Sequence, residues 1–396
     1  MKVLYILNST TITGGATKSL LTLLQGLKEK GITPFVVVPD GGDLCKVLKD
    51  KGITYFVLRY STTTYPSLSS SKDKLLFLPR IFRWKLWELN AVSQIKGIIK
   101  EYNIDLVHTN VSVETVGLRA AYQMQVPHIM HFREYADIDF DMHYYPSKKK
   151  YYSLLNKFGT YTISITKGIQ MYHNLCGERH RQIYNGIELD KNLVDNNDKH
   201  ILCSESYFLF AGRVEPAKGL KQVVEAFAIF YADNKEKDIH LKVAGSIADE
   251  EYAESIRNLI SKYELSEVVK FLGPRHDIAD LMSKSIATIV SSNFEAFGRC
   301  LPEAMLNRCL TIGKDTAGTK EQYDNGLNLY GKEIGLRYNT TEDLASIMKT
   351  VSIMDKQQYA SMVSRAENTV LQLYNAEKYV SEVYDFYKEI INKIKN

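Results

Sequence analysis

The stretch Val3-Leu4-Tyr5-Ile6-Leu7, running into Asn8-Ser9-Thr10-Thr11-Ile12-Thr13-Gly14-Gly15-Ala16-Thr17-Lys18-Ser19, decides the fold. Five apolar residues without alternation read as a strand buried on both faces. A polar turn with paired glycines follows, and residues 19–30 then carry the spacing of an amphipathic helix stopped by Gly31. This strand, turn and helix recur outward along the chain. Residues 34–39 (PFVVVP), 53–58 (ITYFVL), 105–109 (DLVHT), 127–130 and 161–165 read as further strands with helical patterns between them. The rhythm lapses over residues 188–205, a polar segment holding Asp190-Lys191-Asn192 and Asp195-Asn196-Asn197-Asp198, which reads as a linker. It restarts with strands at 207–210, 240–244, 268–272, 286–290 and 310–312, and from residue 341 onward the pattern is helical. The expected fold is α/β, with two doubly wound Rossmann-like domains facing across a cleft. Residues 1–190 form the first and 200–375 the second, and a last helix over 376–396 crosses back onto the first. Ligands of such sheets bind beyond the carboxyl ends of the strands, so those ends carry the search for function.

Composition narrows the field. Of 396 residues, 45% are hydrophobic and 24% charged, which supports large cores and excludes disordered, collagen-like and disulfide-scaffold classes. A net charge of +4 is too near balance for a dedicated nucleic-acid binder, so attraction to anions must come from a local patch. Cys45, Cys176, Cys203, Cys300 and Cys309 show no CxxC spacing and read as free thiols of a reducing compartment. The first apolar run is too short for a signal peptide, and no stretch approaches the roughly 18 apolar residues of a membrane span. A cytoplasmic protein is expected.

Three strand ends carry chemistry. Gly14-Gly15 before a helix exposes backbone N–H groups at a positive helix end, which suits a phosphate, although the same pair also makes an ordinary tight turn. It is not a P-loop, because Thr17 precedes Lys18-Ser19 where that motif needs glycine. In Phe210-Ala211-Gly212-Arg213-Val214-Glu215-Pro216-Ala217-Lys218-Gly219-Leu220, Arg213 leaves a strand end and Lys218 opens the next helix. Two such cations can converge on one anion; a solvated loop is the bland alternative. The most informative segment is Ser291-Ser292-Asn293-Phe294-Glu295-Ala296-Phe297-Gly298-Arg299-Cys300-Leu301-Pro302-Glu303. Glu295 sits in a loop, Pro302 suits a first helical turn, and Glu303 is an early helical residue that could simply complement the helix dipole.

Together these residues resemble the retaining nucleotide-sugar glycosyltransferases of family 4, which have a GT-B fold. The resemblance spans nearly the whole chain. It rests on Gly14-Gly15-Ala16, Tyr184-Asn185-Gly186-Ile187-Glu188, Ala211-Gly212-Arg213 with Lys218-Gly219, Phe271-Leu272-Gly273, and above all the Glu-x7-Glu segment from Glu295 to Glu303. It implies a first domain for the acceptor and a second for the nucleotide-sugar. Gly15 would approach the donor diphosphate, Arg213 and Lys218 would neutralise it, and the main chain at Leu301 would donate to it. Glu295 and the strand-end His131 would face the donor sugar as catalytic residues, with Phe297 and Gly298 beside it. Glu303 would take the ribose hydroxyls, and Leu272 and Pro274 would flank the base, taken as uracil. One departure stands out: the family often has Gly-Gly-x-x-Glu where this chain has Ala317-Gly318-Thr319-Lys320-Glu321, which weakens Glu321 as a nucleotide contact.

The resemblance implies metal-independent hexosyl transfer from a UDP-sugar to a glycan or lipid-linked oligosaccharide in surface polysaccharide assembly, with no cofactor. A sugar-nucleotide epimerase or phosphorylase of the same fold, or a non-catalytic partner subunit, are the competing classes. His108 and Asn110 are secondary candidates near His131; His143, His173, His180, His200 and His240 have no motif context. Asp137-Ile138-Asp139 contains Asp-x-Asp, a metal signature of the other large glycosyltransferase fold, and here reads as a decoy or an acceptor loop. Residues 72–87 hold Trp84, Trp87 and five cations against one acid. That suits either peripheral contact with an anionic membrane or a core helix with snorkelling charges.

Overall fold

The computed structural model describes residues 1–12, 14–68, 70–188, 206–234 and 238–395. Two compact units divide it: Met1–Gly186 with Ala376–Asn396, and Ile187–Asn375. The linker expected over 188–205 lies, apart from Glu188, outside the described residues.

In the first unit the strands are β1 (Lys2–Ile6), β2 (Thr33–Val38), β3 (Thr54–Val57), β4 (Thr64–Pro66), β5 (Leu106–Thr109), β6 (His128–Phe132), β7 (Met142–Tyr144), β8 (Tyr161–Ser164) and β9 (His180–Gln182). The helices between them are α1 (Gly15–Glu29), α2 (Asp43–Asp50), α3 (Ser71–Tyr102), α4 (Val116–Met124), α5 (Asp137–Phe140), α6 (Lys148–Lys157) and α7 (Lys167–Tyr172). Seven strands form one parallel sheet in the order β3-β2-β1-β5-β6-β8-β9, and β4 pairs antiparallel with β7 apart from it. The first strand shows why the sheet is covered twice. Val3 and Tyr5 enter one core with Leu20, Leu23 and Leu27 of α1, while Leu4 and Ile6 enter another with Ile95 and Ile99 of α3 and Ala120 of α4. Period-two side chains that are apolar on both sides need a layer on each face.

The second unit repeats the plan. Its strands are β10 (Tyr207–Ala211), β11 (His240–Ala244), β12 (Val269–Gly273), β13 (Ala287–Val290), β14 (Thr311–Lys314) and β15 (Leu336–Tyr338). Its helices are α8 (Leu220–Ala232), α9 (Glu250–Lys262), α10 (Ile278–Lys284), α11 (Cys300–Leu306), α12 (Ala317–Tyr330), α13 (Thr341–Ser352) and α14 (Lys356–Leu373). The parallel sheet runs β12-β11-β10-β13-β14-β15, so the order reverses at β10 beside β13. That reversal marks where a ligand site forms in such a sheet.

The chain then returns to the first unit as α15 (Ala376–Lys395), which packs on α1. Tyr379, Val383, Phe386 and Ile390 recur at helical spacing and are buried with Val380 and Tyr387. Each such side chain contributes about 1.5–3 kcal/mol by burial, so this helix is part of the first core.

Two sequence expectations change in detail. The first helix begins at Gly15, not residue 19, because Gly14 takes the N-cap position. Lys218 does not open a helix: Pro216–Lys218 form a single 3-10 turn, Gly219 follows with φ 70°, and α8 starts at Leu220.

Candidate active site

In the second unit the residues singled out from sequence gather at the carboxyl ends of β10 to β13. The loop after β13 is stitched to the turn after β10. Asn293 N–H donates to the Ala217 carbonyl at 2.9 Å, its side-chain amide donates to the Pro216 carbonyl at 3.2 Å, and the Ser291 hydroxyl donates to the Lys218 carbonyl at 2.7 Å. This brings Lys218 and Glu295 into an ion pair, and the Ser292 hydroxyl donates to the same Glu295 oxygen at 2.7 Å. Arg213 lies five residues before Lys218, half-exposed and paired with Glu215 at 2.8 Å. On the far side of β10, Gly245 N–H donates to the Gly273 carbonyl at 2.9 Å, which fixes the Leu272-Gly273-Pro274-Arg275 turn against β11. Arg275 there is held by Asp277 through two hydrogen bonds.

Glu303 lies on α11, where Arg299 pairs with it at 3.1 Å across one turn. Leu301 is fully buried. Phe297 is likewise 3% exposed, with its ring edge-on to Tyr374 at 5.6 Å. The Cys300 thiol donates to the Ala211 carbonyl at 3.3 Å, and burial pushes it well above the usual thiol range, so it is no nucleophile.

The departure at Ala317 has a structural price tag in its backbone. Gly318 N–H donates to the Glu295 carbonyl at 2.8 Å, and a Cβ on Gly318 would fall 2.8–2.9 Å from the carbonyls of Glu295, Ala296 and Phe297. Glycine at 318 is thus required to seat the Glu295 loop. Ala317, where the family often has glycine, sits at φ 43°, a left-handed conformation costing an L-residue about 1–2 kcal/mol.

In the first unit His131, expected at a strand end, is the penultimate residue of β6 and is fully buried. Its Nδ1 lies 3.1 Å from His108 Nε2 and 3.3 Å from Arg133 Nη2. Arginine only donates, so the hydrogen-bond pattern assigns His131 Nδ1 as acceptor and puts the ring proton on Nε2. That Nε2 has no partner among the described residues. Behind His108 the chain continues to the Tyr387 hydroxyl of α15 and on to Tyr5 at 3.2 Å. Burial, and then the Arg133 charge, hold both histidines well below 6.5 and hence neutral. Arg133, which sequence reasoning did not single out, is 6% exposed and donates to Asn110, Asn185 and the Tyr379 hydroxyl. A charged pair, Arg133-Glu134, directly after an apolar strand was the available signal.

Buried titratable groups make a pH prediction. His128 is held near 3, and His173 and His180 near 4, all mainly by burial. With His108 and His131 these rings stay neutral in the native state while the unfolded chain takes up protons below 6.5, so stability falls as pH drops from there. Burial raises Glu114 to about 8 and Glu134 to about 7, although each accepts two hydrogen bonds. The native state therefore keeps protons that the unfolded chain loses above 4.5, and stability also falls as pH rises toward 8. The melting temperature is expected to peak at about pH 6–7 and to fall more steeply on the acid side. A flat profile between pH 4.5 and 8 would contradict the neutral assignments.

Other sequence candidates are placed as follows. Asp137 is engaged by Lys148 at 3.0 Å and by the Tyr172 hydroxyl, and Asp139 accepts the Tyr135 N–H at 2.9 Å. Residues 72–87 belong to α3, but the tryptophans do not face outward. Both are half-buried, and Trp87 lies under Arg59 at 4.0 Å and Arg83 at 5.0 Å. Leu75, Leu78, Phe82, Leu86 and Leu89 are the exposed apolar side chains instead. Among the described residues, no helix is long and apolar enough to cross a membrane.

Comparison with known proteins accords with this geometry. Residues 13–191 match the family described as Glycosyltransferase Family 4, and residues 196–362 match Glycosyl transferases group 1. The chain is 22% identical over 336 residues to N-acetyl-alpha-D-glucosaminyl L-malate synthase of Bacillus anthracis, covering 80% of this chain and 83% of that one. The uncharacterized glycosyltransferase YqgM of Bacillus subtilis (strain 168) is 26% identical over 188 residues, covering 47% and 50%. Among solved structures, Anabaena Alr3699/HepE in complex with UDP has a TM-score of 0.76 at 20% identity, covering 98% of this chain and 100% of that one. A glycosyltransferase from Rickettsia africae ESF-5 has a TM-score of 0.77 at 21% identity, covering 98% of each. Two Rossmann-like parallel-sheet units in this order, the first matching family 4 and the second group 1, make the chain a glycosyltransferase of the family 4 type with the GT-B fold.

Proposed function

We propose that the chain transfers a sugar, with retention of anomeric configuration and without a metal ion, from a UDP-sugar to a hydroxyl of a glycan or lipid-linked oligosaccharide. The observation that carries this reading is the Lys218–Glu295 pair, held between the ends of β10 and β13, with Arg213 five residues before Lys218 on the same β10 turn. The reaction breaks the bond between the sugar and a diphosphate, so negative charge grows on the leaving group and must meet fixed positive groups. Arg213 and Lys218 supply two, and the main-chain N–H of Leu301 is the proposed third; the backbone at Gly15 is a proposed phosphate contact of the first unit. Glu303 takes the ribose hydroxyls, and Leu272 and Pro274 flank the base.

Glu295 orients the donor sugar while it holds Lys218, with the main chain of Phe297 and Gly298 beside it. His131 offers its Nε2 proton to a sugar hydroxyl. A buried N–H without an acceptor costs about 1–3 kcal/mol, and a ligand oxygen would recover that. The acceptor attacks from the face the leaving group departs. The Alr3699/HepE complex with UDP supports uridine as the base. The outward apolar side chains of α3, with Lys72, Lys74, Arg83 and Lys85 on the same helix, support acceptors presented at the cytoplasmic face of a membrane in surface polysaccharide assembly.

The test is a thermal-shift series with UDP, GDP and ADP in EDTA, followed by turnover with UDP-sugars. UDP is expected to raise the melting temperature by binding the native state, and Arg213→Ala and Glu303→Ala to remove the shift. UDP release that requires an added acceptor separates transfer from epimerase or phosphorylase chemistry. Turnover that both variants keep, or that EDTA abolishes and manganese restores, would overturn the reading.

A further inference from the structure

In the second unit the turn that carries Lys218 has little to hold its own shape. Pro216–Lys218 make a single 3-10 turn between Glu215, which is extended, and Gly219 at φ 70°. Its internal bonds run from the Lys218 N–H to the Glu215 carbonyl and from the Gly219 N–H to the Pro216 carbonyl, each at 3.1 Å. One such turn is a weak element, so its position is set by what grips it from outside. All three of its carbonyls are gripped by the loop after β13. Ser291 takes that of Lys218, and Asn293 takes the other two, that of Ala217 through its N–H and that of Pro216 through its side-chain amide.

Asn293 is tied on its other side to the end of β14. The Lys314 ammonium donates to its side-chain oxygen at 2.8 Å, and the Thr316 hydroxyl donates to its main-chain carbonyl at 3.4 Å. Every polar group of Asn293 is therefore engaged. The amide is oriented chemically from both sides. An ammonium only donates and a carbonyl only accepts, so the amide oxygen faces Lys314 and its NH2 faces Pro216. Thr316 is the N-cap of α12, and two residues later the Gly318 N–H donates to the Glu295 carbonyl. One residue thus bridges the turn that presents Lys218 and the helix start that seats Glu295.

Magnitudes separate positioning from stability here. Asn293 is exposed, so water replaces its side-chain hydrogen bonds at little cost to the fold. Moving the Lys218 ammonium is another matter, because a displacement of about 1 Å at a reacting centre costs roughly a hundredfold in rate. Lys314 stands at the carboxyl end of β14, where such sheets bind ligands, yet its ammonium is directed to the Asn293 amide.

We propose that Asn293 and Lys314 are positioning residues for sugar transfer. Lys314 orients the Asn293 amide, and the amide sets the turn from which the Lys218 ammonium meets the donor diphosphate. The role rests on the proposed function for what Lys218 meets; the bridge itself does not.

The experiment titrates the full chain with UDP and with UMP, which keeps the base, the ribose and one phosphate but lacks the second. Asn293→Ala is expected to weaken UDP binding about tenfold, to change UMP binding by less than about threefold and to melt within about 3 °C of wild type. A loss confined to the second phosphate is one that a loosened fold would not produce. Lys314→Met keeps the aliphatic stem and is expected to weaken UDP about fivefold. The double variant should lose no more than Asn293→Ala alone, because both residues act through one amide. Losses that multiply in the double variant would make Lys314 a ligand contact in its own right and overturn its role here. UDP and UMP weakened alike with a lowered melting temperature, or UDP bound as tightly as by wild type, would overturn the proposal for Asn293. A crystal structure of Asn293→Ala supplies a readout that needs no ligand. The 216–218 turn is expected to move off the loop after β13, and a turn left in place overturns the proposal. A wild type that binds neither UDP nor UMP, beside a displaced turn in that crystal, would sink the UDP-sugar reading and spare the bridge.

Discussion

Lys218→Ala is expected to lower kcat on the order of 10²–10³-fold, the range for removing one fixed charge-stabilising group at a reacting centre. Lys218 is held by the Glu295 carboxylate, and its backbone carbonyl is fixed by the Ser291 hydroxyl, so the ammonium is placed before a donor arrives. A group placed in advance does not have to reorganise as charge builds on the diphosphate. Both side chains are one-fifth to one-quarter exposed, so solvent screens the pair and its loss should cost only about 1 kcal/mol of stability or less. The measurement is kcat with a UDP-sugar beside the melting temperature of the same sample. A variant that melts like the wild type and turns over like it removes Lys218 from the reaction. Lys218→Arg is the companion variant: it keeps the charge but changes its shape, and it should recover part of the lost rate.

Gly219→Ala is expected to destabilise the second unit by about 3 kcal/mol and to abolish UDP binding with it. Gly219 has φ 70°, and a Cβ there would stand 2.1 Å from the Ser291 carbonyl oxygen. Neither side can yield cheaply, because both are main chain. The only relief is to push the loop after β13 away from the turn after β10, which breaks the Ser291, Asn293 and Lys218 contacts together. Denaturant unfolding and UDP titration should therefore change in parallel. A stable Gly219→Ala protein with normal UDP binding would mean that the Lys218 and Glu295 loops are not held by this approach.

The sequence disclosed the elements whose information is local. Val3-Leu4-Tyr5-Ile6-Leu7 is apolar at every position, and a strand apolar on both sides leaves few alternatives; the helix over 376–395 has an apolar face that ends where its element ends. His180–Gln182 and Leu336–Tyr338 escaped because each is three residues long, and both lie at sheet edges where half the strand is unpaired. The β4–β7 pair escaped for another reason, being a partnership of residues 76 to 80 positions apart with no turn signal to announce it. In the site, Glu295, Lys218 and Gly318 were legible as types at strand ends, but not that the first two would neutralise one another. His108 was ranked below His131, although the two rings touch. What joins them to Tyr387 is a contact across 279 positions that no local pattern encodes. Arg133 was passed over because a charged residue beside a strand is usually solvated, and only the folded neighbours Asn110, Asn185 and Tyr379 make its burial tolerable.

The return of α15 to the first unit has a bearing on how the molecule is made. A ribosome delivers residues 1–186 first, but the groove on α1 that receives Tyr379, Val383 and Phe386 stays unfilled until the final stretch of chain emerges. His108 likewise waits for Tyr387. The whole of the second unit can fold during that interval, while an oily furrow on the nascent first half stands open to chaperones and to neighbouring chains. Translation that stalls after residue 375 would thus leave the earlier-made half unfinished and the later-made half complete.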